Sequence, residues 1–117
     1  IVRYSDQERG NYQYVVLEID PDLAGVDRDL LVNLLRAEGV LARRYFFPGC
    51  HQMEPYRSEQ PDAAQFLPET ERLTMRVLQL PTGTAVSEPQ VRLVCDLIRF
   101  ALNLAPQVRQ VVGTGTP

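Results

Sequence analysis

Hydrophobic and polar positions along the chain change period several times, and each change marks an element. From Tyr12 to Asp20 the sequence Tyr-Gln-Tyr-Val-Val-Leu-Glu-Ile-Asp is rich in aromatic and β-branched residues and closes on Asp20-Pro21, which predicts a strand with a firm stop. Residues 1–11 lack that pattern and read as a lead-in. Leu30, Leu31, Leu34 and Leu35 then recur at helical spacing. Asp27 precedes them as an N-cap, Val26 is placed to staple against Leu31, and Gly39 supplies the stop. Val40 to Phe46 reads as a second strand. Residues 48–68 keep no period and contain four prolines, yet their aromatic content favours an ordered loop. Loops of this length in compact domains are more often functional than not.

The second half resumes with a short helix over Pro68–Arg76, carrying proline and acids in its first turn, and a short strand Val77–Leu80 stopped by Pro81-Thr82-Gly83. Ser87, with Gln90 three residues on, opens a last helix whose buried stripe is Val91, Val94, Ile98, Ala101 and Leu102. Arg92, Asp96, Arg99 and Asn103 fall on its wet side. The order predicts one small α/β (α+β) domain over residues 12–104, a roughly three-stranded sheet with helices packed on one face, and a flexible tail over 105–117. Such a sheet keeps one open face. That face should carry an apolar patch and lie against another domain or subunit.

Composition narrows the function. At 117 residues, about one domain is expected, and no apolar run approaches the roughly 18–20 residues of a membrane span. A net charge of -3 gives no broad positive field, which argues against general nucleic-acid binding. All twelve basic residues are arginine. Without lysine the chain has no Schiff-base amine and no P-loop phosphate ligand. Cys50 and Cys95 lack metal-ligand spacing and are too sparse for a disulfide scaffold, so a reduced, cytoplasmic protein is the simplest reading. No secretory signal pattern opens the sequence, and its start at Ile1 suggests a piece of something longer.

Candidate chemistry gathers in residues 42–58, which hold the sole histidine, four aromatics and three arginines. A Cys50–His51 nucleophile and base is disfavoured, because neighbours on an extended chain point apart. Cys95 reads as a buried, inert thiol on the last helix. His51 is either a loop histidine bonded to backbone or an imidazole facing a ligand. The surrounding Pro48, Gly49, Pro55 and Tyr56 would stiffen the loop and hold it still. Arg43 and Arg44 occupy consecutive strand positions, so one faces the helices and the other the opposite side. Both read as solvated, with bidentate capture of a phosphate or carboxylate by one of them, or by Arg57, as the alternative.

These blocks together resemble a known family. Asp27-Arg28-Asp29-Leu30-Leu31, Glu38-Gly39-Val40, Ala42-Arg43-Arg44-Tyr45-Phe46 with Pro48, His51-Gln52-Met53-Glu54-Pro55-Tyr56, Leu67-Pro68-Glu69-Thr70-Glu71-Arg72 and Leu78-Gln79-Leu80-Pro81 are similar to the C-terminal domain of the DegT/DnrJ/EryC1/StrS sugar aminotransferases. The likeness covers residues 10–104. It implies the small domain of a fold-type I pyridoxal-phosphate enzyme that moves an amino group, usually from glutamate, onto a nucleotide-linked keto-deoxysugar. The Schiff-base lysine would lie in a large N-terminal domain outside this chain, so no catalytic and no cofactor-binding residue is expected here. The resemblance implies His51 near the sugar or cofactor, with Arg44, Tyr45 and Tyr56 shaping the substrate entrance. It also implies the large domain and a second subunit of a homodimer as partners. The alternatives are a free-standing small-molecule-binding or regulatory module, and a dimerisation domain without ligand.

Overall fold

The computed structural model describes residues 1, 5, 7–11 and 13–113, with side chains to residue 107. Tyr12, expected to begin the first strand, and the tail residues 114–117 lie outside the described residues. A three-stranded antiparallel sheet has the order β1 (Val15–Glu18), β3 (Val77–Leu80), β2 (Arg43–Arg44). Both outer strands are antiparallel to β3, so they are parallel to one another and their β–α–β connection is split by the last strand. Register pairs Leu17 with Leu78 and Val16 with Gln79 on the β1 side, and Arg44 with Leu78 on the β2 side.

Two short helices join β1 to β2. Helix α1 (Pro21–Ala24) grows directly from the Asp20-Pro21 stop, with the Asp20 carboxylate accepting from the Asp22 amide at 3.0 Å. Helix α2 (Arg28–Ala37) is capped by Asp27, whose Oδ1 accepts from the Leu30 amide at 2.7 Å. At its other end Gly39 adopts a φ of 78°. The Gly39 amide donates to the Arg36 carbonyl at 3.0 Å and the Val40 amide to the Leu35 carbonyl at 2.9 Å, the paired bonds of a Schellman stop. The buried stripe of α2 is Arg28, Leu31, Val32 and Leu35, turned slightly from the predicted one, so that Leu34 is exposed.

Strand β2 is shorter than the predicted 40–46 at both ends: Val40 closes the α2 stop and the Ala42 amide donates to the Val40 carbonyl at 2.8 Å, while Phe46 takes a positive φ of 53°, a conformation that breaks an extended ladder. The connection beyond it is ordered into a 3₁₀ turn at Cys50–Gln52, helix α3 (Tyr56–Glu59) and a second 3₁₀ turn at Ala63–Phe66. Helix α4 (Pro68–Arg76) runs without interruption into β3. Helix α5 (Glu88–Gly113) starts where Ser87 meets Gln90, whose Oε1 accepts from the Ser87 amide at 2.8 Å. The backbone continues helically past Pro106 rather than breaking at Ala105.

The core lies between one sheet face and the pair α2, α5. Leu17, Leu78 and Leu80 from the sheet meet Leu31, Val32 and Leu35 of α2 and Val94, Leu97, Ile98 and Ala101 of α5. The start of α5 is looser than its stripe suggested. Val91 is exposed, and an apolar groove of about 610 Å³ separates α5 from Val15 and Leu80. Cys95 borders that groove and is exposed, which corrects the expectation of a buried thiol: it sits at the margin of the stripe rather than on it. Among the described residues no helix is long and apolar enough to cross a membrane, and no group of three or more histidine, cysteine or acidic side chains could hold a metal ion.

Candidate functional site

Alternation along the strands sends Val16, Glu18 and Val77 to the sheet face that α2 and α5 do not cover. A groove of about 970 Å³ lies there, walled by Tyr14, Tyr45 and Phe46 from the β strands and their ends, Gly49, Cys50 and His51 from the 3₁₀ turn, and Leu67, Thr70, Arg72, Leu73 and Thr74 from around α4. This is the open face expected from the sequence. Its aromatic wall is continuous: Tyr14 and Tyr45 rings lie 5.9 Å apart, and Tyr45 and Phe46 rings 4.1 Å apart, both tilted.

His51 enters the groove as a largely buried ring, its side chain 9% exposed. Its Nε2 is hydrogen-bonded to Glu71 Oε1, which also accepts from Gln52 Nε2 at 3.2 Å. The His51 bond above all, and Gln52 after it, hold the Glu71 carboxyl below its ordinary value of 4.5, so it is ionised at neutral pH. An ionised carboxylate can only accept, so Nε2 carries the hydrogen and, in the neutral ring, Nδ1 is left as the acceptor. Gly49 keeps that nitrogen uncovered. A side chain there would place its Cβ 3.1 Å from Nδ1 and 2.8 Å from Cε1.

Because the carboxyl of Glu71 titrates lower when folded than when unfolded, its stabilising contribution is complete above 4.5 and is lost as pH falls from there through the depressed value. Glu71→Gln is therefore expected to lessen the acid-side fall in Tm. Thermal melts over an acidic pH series check this, and parallel curves for the two proteins would contradict it.

The polar rim is already paired. Arg72 donates to Glu18 across the groove edge and to Glu69 at 3.0 Å, and these carboxylates, Glu18 foremost, raise its pKa further. Of the four residues that the sequence suggested for substrate, the structure brings His51 and Tyr45 together in the groove. Arg44 faces the helix side, 2.9 Å from Asp29 and over the Phe47 ring, while its neighbour Arg43 takes the other face, as alternation requires. Tyr56 begins α3 outside the groove lining and is 58% exposed. Arg57, a candidate anion ligand, is paired with Glu54 at 2.7 Å. That pairing and a bond from Ser58, the larger cause, lower the Glu54 pKa.

Sequence reasoning missed Tyr14, Phe46 and Glu71. Tyr14 was legible, being two positions before Val16 on the same strand face. Glu71 stood in the sequence only as an acid in the first turn of α4, and nothing local ties it to a ring twenty residues earlier.

Comparison with known proteins identifies the family and the fold. The model of the DegT/DnrJ/EryC1/StrS aminotransferase family matches residues 2–99. The dTDP-4-amino-4,6-dideoxy-D-glucose transaminase of Escherichia coli is 32% identical over 88 residues, which is 75% of this chain and 24% of that protein. The crystal structure of DesI in the presence of its TDP-sugar product matches with a TM-score of 0.73 and 50% identity, over 89% of this chain and 25% of the DesI chain. The chain thus spans about a quarter of the length of these relatives. A family match over most of its residues, joined to the same fold at that identity, means that the chain belongs to the DegT/DnrJ/EryC1/StrS aminotransferase family.

Proposed function

We propose that these residues form the small domain of a cytoplasmic, pyridoxal-phosphate-dependent aminotransferase, and that the groove on the open sheet face is one wall of its substrate site. The amino group would pass, with glutamate as donor, to a keto group on a nucleotide-linked deoxysugar. The observation that carries the reading is an oriented imidazole, His51 held by Glu71, in an aromatic groove of a chain belonging to an aminotransferase family.

Enzymes of this family use pyridoxal phosphate, but this chain's groove does not suit that cofactor as a resident. There is no lysine to bind it covalently. Arg72, the arginine of the groove wall, is occupied by Glu18 and Glu69. The cofactor and its lysine therefore belong to a large domain outside these residues, and the exposed rings of Tyr14 and Phe46 are covered by that domain or by the second subunit of a homodimer. Ligand sites between domains are commonly built this way, with one domain binding the reactive group and the other closing the cleft.

Within that division His51 accepts a hydrogen bond from a sugar hydroxyl through Nδ1, and Tyr45 supplies apolar surface to the sugar ring. Arg44 and Tyr56 act at a distance from the groove. In the full-length parent enzyme, His51→Ala should lower kcat/KM about tenfold or more, the size of one lost hydrogen bond of about 1.5 kcal/mol, and so disturb turnover more than folding. Steady-state kinetics with the nucleotide sugar, paired with thermal melts, measure both. An unchanged rate would return His51 to a purely structural role.

A further inference from the structure

Arg28 is a charged residue at the first position of α2, yet it is 1% exposed. Its Nη1 donates to the Thr74 carbonyl at 2.8 Å and to the Val77 carbonyl at 2.9 Å, on either side of the junction where α4 becomes β3. Its Nε meets Asp29 Oδ1 at 2.5 Å, and the same oxygen forms an ion pair with Arg44, 2.9 Å from its Nε. Both guanidinium groups lie over the Phe47 ring, 5.2 Å and 4.9 Å from its centroid. Nη2 is buried without a hydrogen-bond partner. Burying a guanidinium with one donor idle costs free energy that an apolar side chain in that place would not incur.

What this cation holds is the machinery around His51. Thr74, whose carbonyl it anchors, is itself buried, donates its hydroxyl to the Glu71 carbonyl at 2.9 Å, and places its methyl against the open side of Gly49. Phe47, the ring under the two guanidiniums, leads through Pro48 and Gly49 into the turn that carries His51. Arg28 therefore reaches both partners of the hydrogen bond by separate routes, Glu71 through Thr74 and His51 through Phe47. We propose that Arg28 is the positioning residue of the His51–Glu71 pair. It touches neither member and is not catalytic. The consequence for turnover rests on the functional reading above, but the positioning itself does not.

Because His51 is the sole histidine, its ring nitrogens give unambiguous signals in ¹⁵N-labelled 117-residue chain. Long-range ¹H–¹⁵N spectra at one alkaline pH should report a single tautomer with hydrogen on Nε2 in the unaltered chain. In Arg28→Met that tautomer should be lost to the averaged shifts of a free imidazole, and Arg28→Lys, which keeps charge but not the planar fork, should fall between. Val32→Ala, equally buried in α2, should leave the ring unchanged although it destabilises the fold. Wild-type shifts in folded Arg28→Met, or an equal change in Val32→Ala, would overturn the proposal. Should Arg28→Met not fold, Arg28→Lys and Phe47→Leu decide by the same shifts. These spectra require no activity, so a failure of the functional reading leaves them interpretable, and a failure of positioning leaves the His51→Ala kinetics to stand alone.

Discussion

Leu78→Asp is expected to leave the chain without a cooperative fold. Leu78 has no exposed surface, lies on the central strand, and sits opposite Leu17 on one side and Arg44 on the other. Removing its side chain as alanine should cost about 2–5 kcal/mol through lost burial and the cavity left among Leu31, Val32 and Leu35. A carboxylate in the same place adds a buried charge opposite an Arg44 already taken by Asp29, and the sum reaches the roughly 5–15 kcal/mol that holds a domain of this kind together. Far-UV circular dichroism and thermal denaturation measure the outcome. A sharp transition close to that of the unaltered chain would mean that the core does not centre on β3.

Gly49→Val should act on the site as strongly as Leu78→Asp acts on the core. At a φ of 96° and ψ of 146°, Gly49 occupies backbone space open essentially to glycine alone, and a β-branched residue forced there costs about 1–3 kcal/mol before any contact is counted. The contacts are close as well, with the new Cβ 2.8 Å from His51 Cε1 and 3.3 Å from the Thr74 methyl. With the buried Thr74 on the other side, the imidazole is the group that moves, and moving it breaks the bond to Glu71. Lower Tm and loss of the Nε2-protonated tautomer are expected together. Gly83→Val provides the comparison, since its φ of 116° strains the backbone while a Cβ there meets nothing within 4 Å. If both variants perturb His51 alike, the ring is not seated by Gly49.

Much of the scaffold is written locally. Asp27, the leucine repeat and Gly39 specify α2 with both ends, because capping depends on residues within a few positions of one another. Helix α4 and β3 begin and end as expected, since Pro68 and Pro81 punctuate them. The second strand was overestimated because a hydrophobic pattern carries no backbone torsions, and Phe46 gives no sign in sequence that its φ is positive. The same limit governs the site. His51 and Tyr45 stood out by residue type, whereas Arg44 has the right chemistry but turns to Asp29, a choice made by strand register. Arg28 was legible only as a helix residue. A charge at the start of a helix ordinarily points to water, and its burial depends on two carbonyls more than forty residues away.

The strand that comes last in sequence lies in the middle of the sheet, and this sets the order in which the domain can assemble. Until residues 77–80 leave the ribosome, β1 and β2 have no hydrogen-bonding partner, because each pairs only with β3 in the described sheet. Up to that point the emerging domain holds a finished helix α2 between two bare strand edges, the arrangement most open to pairing with another chain. Truncation before Val77 removes the strand on which both pairings of the described sheet depend, and closure of the sheet, being built from distant contacts, is expected to be the slow step of this domain's folding.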